Sequence, residues 1–150
     1  MARRRSSRPL ARRHVANPAL QTLHIARRFP TFTFVREGGE AVWRGTFQPR
    51  QSSPLYRVAV RKRPGRAPRV NVMWPQLDPL APHVYSDGRL CLYWPEEWVW
   101  RESELIAETI LPWTALWLYY YELWLDSGVW LGPSSHDAAL SKTGGERSAA

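Results

Sequence analysis

Between Glu108 and Glu122 lies the most apolar stretch of the chain, Thr109–Tyr121 (TILPWTALWLYYY). A membrane-spanning helix needs roughly 20 such residues. This run has 13, is closed by an acid at each end and contains Pro112, so it belongs inside a water-soluble fold. Its composition suits a helix with apolar residues on nearly every side, the central packing element of a domain. Ser103 is placed to cap that helix, with Glu104 near the positive end of its dipole and Ser127-Gly128 to stop it. The expected span is Glu104–Asp126, kinked around Pro112. The stripe Trp113, Trp117, Tyr120, Tyr121 and Trp124 is expected to be core.

A chain of 150 residues predicts one domain built on this helix. Asn17-Pro18 reads as an N-cap followed by proline at the first helical position, with Leu20, Leu23 and Ile25 on a helical stripe ending near Phe29-Pro30. Phe32, Phe34 and Val35 then form a strand, Gly38-Gly39 its turn, and Ala41–Gln48 a second strand. After a loop, Tyr56–Arg63 alternates Tyr56, Val58 and Val60 against Arg57, Arg61 and Arg63. Arg69–Trp74 follows the break at Pro64–Pro68. Short connections predict an antiparallel meander of four strands. Pro75, Pro79 and Pro82 end the regular pattern. Asp87-Gly88 marks a turn, and Leu90-Cys91-Leu92 a short apolar exit from it. The predicted class is α+β, with helices against one face of an antiparallel sheet.

Cys91 is the single cysteine, which excludes an intramolecular disulfide framework and a cysteine-rich zinc site and fits a reducing, cytoplasmic setting. His14, His24, His83 and His136 are scattered, so no metal site is expected. The net charge is +8, but residues 1–13 hold six Arg and no acid. Residues 1–77 carry 17 basic and 2 acidic side chains, residues 78–150 carry 4 and 11. Residues 1–16 read as a disordered basic arm and 133–150 as a disordered polar tail, flanking a domain at 17–132. No apolar signal segment accompanies the arginines. Such an arm is expected to be solvated charge, with the phosphates of a nucleic acid or an acidic partner surface as the alternatives; a nucleic-acid partner is not the expectation.

The order helix, four-stranded meander, proline-rich segment, His, turn, Cys, Trp, helix resembles the ubiquitin-conjugating (UBC-like) fold. The local motifs coincide. Pro64 and Pro68 resemble that family's proline-rich bend before its fourth strand. His83 resembles the histidine of its His-Pro-Asn motif, and Gly88-Arg89-Leu90-Cys91-Leu92 its active-site segment. Trp98, seven residues after the cysteine, resembles its tryptophan before the helix. More narrowly, Ile110–Trp113, Trp117–Leu125, Gly128 and Trp130-Leu131-Gly132 look like the stand-alone conjugating-enzyme-like proteins encoded in bacterial anti-phage cyclic-oligonucleotide signalling (CBASS) operons. The resemblance covers about residues 17–132. Three features depart from the eukaryotic pattern. Val84-Tyr85 replaces Pro-Asn, the His-to-Cys spacing of eight residues is shorter, and the chain has one large helix after the cysteine rather than three.

The resemblance implies a cysteine-thioester acyltransferase needing no cofactor. Cys91 is its nucleophile and His83 a second site residue; Tyr85, Ser86, Asp87 and Trp98 contact substrate, and His136 approaches from the C-terminal side. The acyl donor implied is the C-terminal glycine of the CBASS cyclic-nucleotide synthase (CD-NTase), and the acceptor a lysine or other amine. With the asparagine absent, a backbone N–H or the hydroxyl of Tyr85 or Ser86 is left to support the oxyanion. Acylating a thiol from a free carboxylate is uphill, so the first thioester calls for a host or borrowed activating enzyme, or for reversal from a preformed conjugate. Lysine is scarce: only Lys62 and Lys142 are available for self-modification. The alternative is a non-catalytic binding module for the synthase tail, like conjugating-enzyme variants that lack the cysteine. A papain-like hydrolase is disfavoured, since no third orienting residue accompanies Cys91 and His83.

Overall fold

The computed structural model describes residues 17–133; the basic arm, His136 and Lys142 lie outside the described residues. The order is α1 (Pro18–Arg28), β1 (Thr33–Glu37), β2 (Glu40–Phe47), β3 (Tyr56–Lys62), β4 (Arg69–Trp74) and α2 (Ile110–Ser127). The strands form one antiparallel sheet in the order β1-β2-β3-β4, the α+β meander expected for a UBC-like fold.

Local chemistry explains the boundaries. Asn17 caps α1, its side chain accepting from Leu20 N at 2.9 Å, and Pro18 opens the helix where its missing N–H costs nothing. Gly38 and Gly39 have φ of 57° and 77°, the left-handed pair that a two-residue hairpin between Glu37 and Glu40 requires. Across β2, β3 and β4 the inward residues Trp43, Val58, Val60 and Val70 meet Ile106, Ile110, Leu111 and Leu118 in one core.

Two sequence expectations are corrected. Leu23 is exposed, and the residues α1 buries are Gln21 and Ile25. Gln21 Nε2 donates to Glu104 O at 2.8 Å and Oε1 accepts from Ile106 N at 2.9 Å, so both ends of the amide are engaged across the domain. A helix starting at Glu104 would return the Glu104 carbonyl to Glu108 N, whereas here Glu108 N bonds Leu105 O at 3.0 Å. The helix accordingly begins at Ile110, not Glu104, and Ser103 caps nothing. Pro112 then falls in the first turn, where no intrahelical N–H is needed, and no kink has to be made. At the other end Gly128, with φ of 74°, returns its N–H to Trp124 O at 2.7 Å as expected.

Charged side chains fasten the edges. Glu40 is buried beneath Arg63 and Arg69. Burial pushes its carboxyl up, but the hydrogen bond from Arg63 and the charges of Arg69, Arg63 and Arg61 outweigh it and hold it below the usual range. Lys62 is also buried, its Nζ 3.0 Å from Glu102 Oε1 and 2.6 Å from Arg63 O. Among the described residues no helix is long and apolar enough to cross a membrane.

Between β4 and α2 the only strand-like pairing is the bridge between Val84 and Leu90. A connection this long inside a compact domain marks a functional segment.

Candidate active site

The segment around the cysteine is a tight hairpin. Tyr85 N donates to Arg89 O at 2.8 Å and Gly88 N to Tyr85 O at 2.9 Å; Asp87 Oδ1 accepts from Arg89 N at 3.1 Å. That backbone N–H, with help from the Arg89 guanidinium, holds the Asp87 carboxyl below its usual range although burial pushes it up. Leu90 N donates to Val70 O at 2.9 Å, pinning the hairpin to β4. At its base His83 takes a left-handed φ of 57°, the one non-glycine residue with positive φ among the described residues. Its carbonyl accepts from Cys91 N at 2.9 Å and from Trp117 Nε1 at 3.2 Å, so one backbone oxygen joins the cysteine to α2.

Cys91 is partly exposed. Its Sγ lies 3.6 Å from Tyr85 Oη and 3.7 Å from Tyr93 O, with the thiol donating to the phenol oxygen. The Arg89 guanidinium sits 4.7 Å over the Tyr85 ring and fixes that ring from the far side. The hydrogen bond with Cys91, burial and the charge on sulfur together push the Tyr85 phenol up to about 12. Tyr85 thus stays a neutral O–H, and once the thiol has lost its proton the phenol is the donor of the pair.

Beside the sulfur opens a cleft of about 360 Å³. Leu92, Tyr93, Trp94 and Trp98 form one wall, Trp113, Leu116, Trp117 and Tyr120 of α2 the other, and Trp130 closes the end. Trp98 meets Trp113 edge to face at 4.9 Å, and His83 packs its ring against Trp130 at 4.9 Å and Trp94 at 5.6 Å. Gly132 is part of the fit: a Cβ there would lie 2.7 Å from the Tyr120 ring and 2.9 Å from Trp130 Nε1.

Of the residues the sequence singled out, Cys91, His83 and Trp98 line this one cleft, and Tyr85 touches the sulfur from the hairpin side. Ser86 and Asp87 sit exposed at the hairpin tip and do not line the cleft. His136 is outside the described residues. The stripe expected to be core divides, because Trp113, Trp117 and Tyr120 also face the cleft, and Trp94 and Trp130 join them. The signal for this wall was the density of aromatic residues on both sides of Cys91. Among the described residues no group of three His, Cys, Asp or Glu could hold a metal ion.

Cys91 thus stands partly exposed on the wall of a cleft, with a phenol at its sulfur. A family model described as Type II CBASS E2 protein matches residues 21–137, from the first turns of α1 past the end of α2. The chain belongs to that family. No individual curated protein matches it. An E2-like role in CBASS is therefore the coarse function, and the Cys91 hairpin of this CBASS E2 lies within the matched span.

Proposed function

We propose that this CBASS E2 carries the C-terminal glycine of the CBASS cyclic-nucleotide synthase as a thioester on Cys91 and hands it to a lysine or another amine, priming the synthase in the bacterial cytoplasm during phage infection. The observation that carries the reading is the partly exposed Cys91 on the wall of an open cleft, its Sγ 3.6 Å from a neutral tyrosine hydroxyl.

The chemistry follows in two balanced steps. The Cys91 thiolate attacks the carbonyl of a thioester presented by an activating enzyme, and that enzyme's thiolate leaves. Thioester exchange conserves the bond type, so the protein's task is to position the partners. A neutral amine then attacks the Cys91 thioester, an amide forms, the Cys91 thiolate departs and the amine's surplus proton passes to solvent. In both steps Tyr85 Oη donates to the developing negative charge, the task that falls to asparagine in the eukaryotic motif. His83 contributes the carbonyl that holds the Cys91 N–H. Residues 17–132 form the transfer unit, with 1–16 and 133–150 as appendages to it. Lys62, buried on Glu102, is a poor acceptor, so the amine comes from elsewhere.

The test is the wild-type chain and Cys91→Ala, each incubated with synthase, activating enzyme and ATP and run on non-reducing gels. The expected result is an adduct with wild type that thiol reductant dissolves and Cys91→Ala does not form. An adduct that persists in Cys91→Ala overturns the proposal. If the wild type forms none and native Cys91 resists iodoacetamide, the non-catalytic tail-binding module is the better reading.

A further inference from the structure

The cleft beside Cys91 is wider than a terminal glycine needs, and its lining is one-sided. Trp94, Trp98, Trp113 and Tyr120 line a space of about 360 Å³, and the one carboxylate among its lining residues is Glu97. Glu97 is exposed and makes no ion pair among the described residues. An aromatic face attracts cations through its quadrupole, and a desolvated site strengthens that attraction. An aromatic lining with one exposed carboxylate matches a side chain that has an apolar stem and a positive head.

The surrounding charge has the same sense. Residues 78–133 hold nine acids and two bases. Asp78, Glu96, Glu104 and Glu108, like Glu97, make no ion pair among the described residues. The cleft is lined wholly from within this acidic segment, which favours a basic peptide over an acidic one.

We infer that the cleft is a specificity pocket for an arginine or lysine side chain in the synthase tail, placed a few residues before the glycine carried on Cys91. The occupant's identity rests on the thioester reading above. The cation belongs to the donor tail and not to the acceptor amine, because an attacking amine must be neutral, while a carboxylate and ring faces favour its protonated form. Each extended residue spans about 3.3–3.6 Å, which sets a single register between pocket and thiol.

The probe is a set of acetylated alanine-based hexapeptides ending in glycine, with one arginine moved through the positions before it. Binding to the full, unacylated chain is read by tryptophan fluorescence. At one position arginine is expected to bind roughly tenfold tighter than its neutral isostere citrulline. Lysine keeps most of that gain, and Glu97→Gln cuts the preference to about twofold or less. A leucine peptide that binds as well as arginine overturns the inference in favour of an apolar pocket. A gain equal at every position overturns it in favour of diffuse steering.

The same peptides as 2-mercaptoethanesulfonate thioesters then report acyl transfer to Cys91 by intact mass. Selective binding without acylation leaves the pocket standing and sinks the thioester reading. Acylation without selectivity does the reverse.

Discussion

Helix α2 has two ends with contrasting chemistry. In its C-terminal half Glu122 is buried among groups that leave neither of its oxygens idle. Ser53 Oγ donates at 2.6 Å, Arg50 Nε at 3.0 Å and Tyr56 Oη at 3.1 Å, while Arg50 also reaches Asp126 at 3.0 Å. The Glu122 and Asp126 carboxylates raise the Arg50 guanidinium further, and burial beside Glu122 drives the Tyr56 phenol far above its usual range. About one and a half turns earlier, Trp117 stacks on Tyr121 at 5.3 Å and gives its single N–H to the His83 carbonyl. There the neighbouring rings enclose a cleft instead of filling a core. The polar end bolts the β2–β3 loop to the helix; the aromatic end leaves room for a ligand. The contrast teaches that this helix separates the work of holding the fold from that of shaping the site, and it is open to attack from either side.

The largest effect is expected from the residue that serves both ends. Trp117→Ala removes a buried ring and the bond to His83 O, and should cost about 3–5 kcal/mol in denaturant unfolding. It should also change the rate of iodoacetamide alkylation of Cys91 by more than about twofold, because the hairpin loses its tie to α2. Glu122→Ala comes next. It leaves the Tyr56 hydroxyl buried without a partner and the Ser53 hydroxyl, which still accepts from Arg50 N at 2.9 Å, without an acceptor for its own proton, for about 2–4 kcal/mol. The Cys91 alkylation rate in Glu122→Ala should stay within about twofold of wild type, since no bond from Glu122 reaches the hairpin. A larger change would mean that the two ends are coupled and the comparison is wrong.

Much of this fold is legible locally. Asn17-Pro18, Gly38-Gly39 and Gly128 are read correctly because each acts on its own few residues, and the strands follow from alternation. The start of α2 is not legible, because the segment before it is held by Gln21, more than eighty residues away, whose amide takes the Glu104 carbonyl and the Ile106 N–H. The same bonds explain why polar Gln21 is buried where Leu23 was expected. In the candidate site, Cys91, His83 and Trp98 stand out only through family resemblance, since a lone cysteine has no periodicity to betray it. The approach of Tyr85 to the sulfur follows from the Asp87-Gly88 turn, which is visible, and from the Arg89 stacking, which is not. The aromatic wall is hidden for a different reason. A stripe of Trp and Tyr on a helix looks alike whether it faces a core or a cleft.

The aromatic end can be tested more finely at Tyr85. Tyr85→Phe keeps the ring beneath Arg89 and removes the hydroxyl, so acyl transfer through Cys91 should fall by about 10- to 100-fold with little loss of stability. Because the phenol is raised to about 12, its donor form is present throughout the ordinary range and is lost only as pH climbs through that value. The deficit in Tyr85→Phe should therefore be the same from about pH 7 to about pH 10. A deficit that fades toward the alkaline side would show that the hydroxyl acts through its own ionisation and not as a donor.

The smallest effect separates the backbone of His83 from its ring. Both His83→Ala and His83→Gly lose the packing on Trp94 and Trp130, so both should be less stable than wild type. They differ in the cost of a left-handed φ of 57°, which glycine adopts freely and alanine resists by about 1–2 kcal/mol. Against this, glycine loses roughly 0.5–1 kcal/mol more chain entropy on folding. The net expectation is that the glycine variant unfolds at the higher denaturant midpoint and is the more stable by up to about 1.5 kcal/mol. Its carbonyl should still hold the Cys91 and Trp117 N–H groups, so Cys91 alkylation in the glycine variant should be nearer to wild type than in the alanine variant. Equal midpoints, or alanine above glycine, would mean that the hairpin base relaxes out of the left-handed region once the ring is gone. The aromatic contacts would then be what hold His83 there, and the link from Cys91 through that carbonyl to α2 would depend on them.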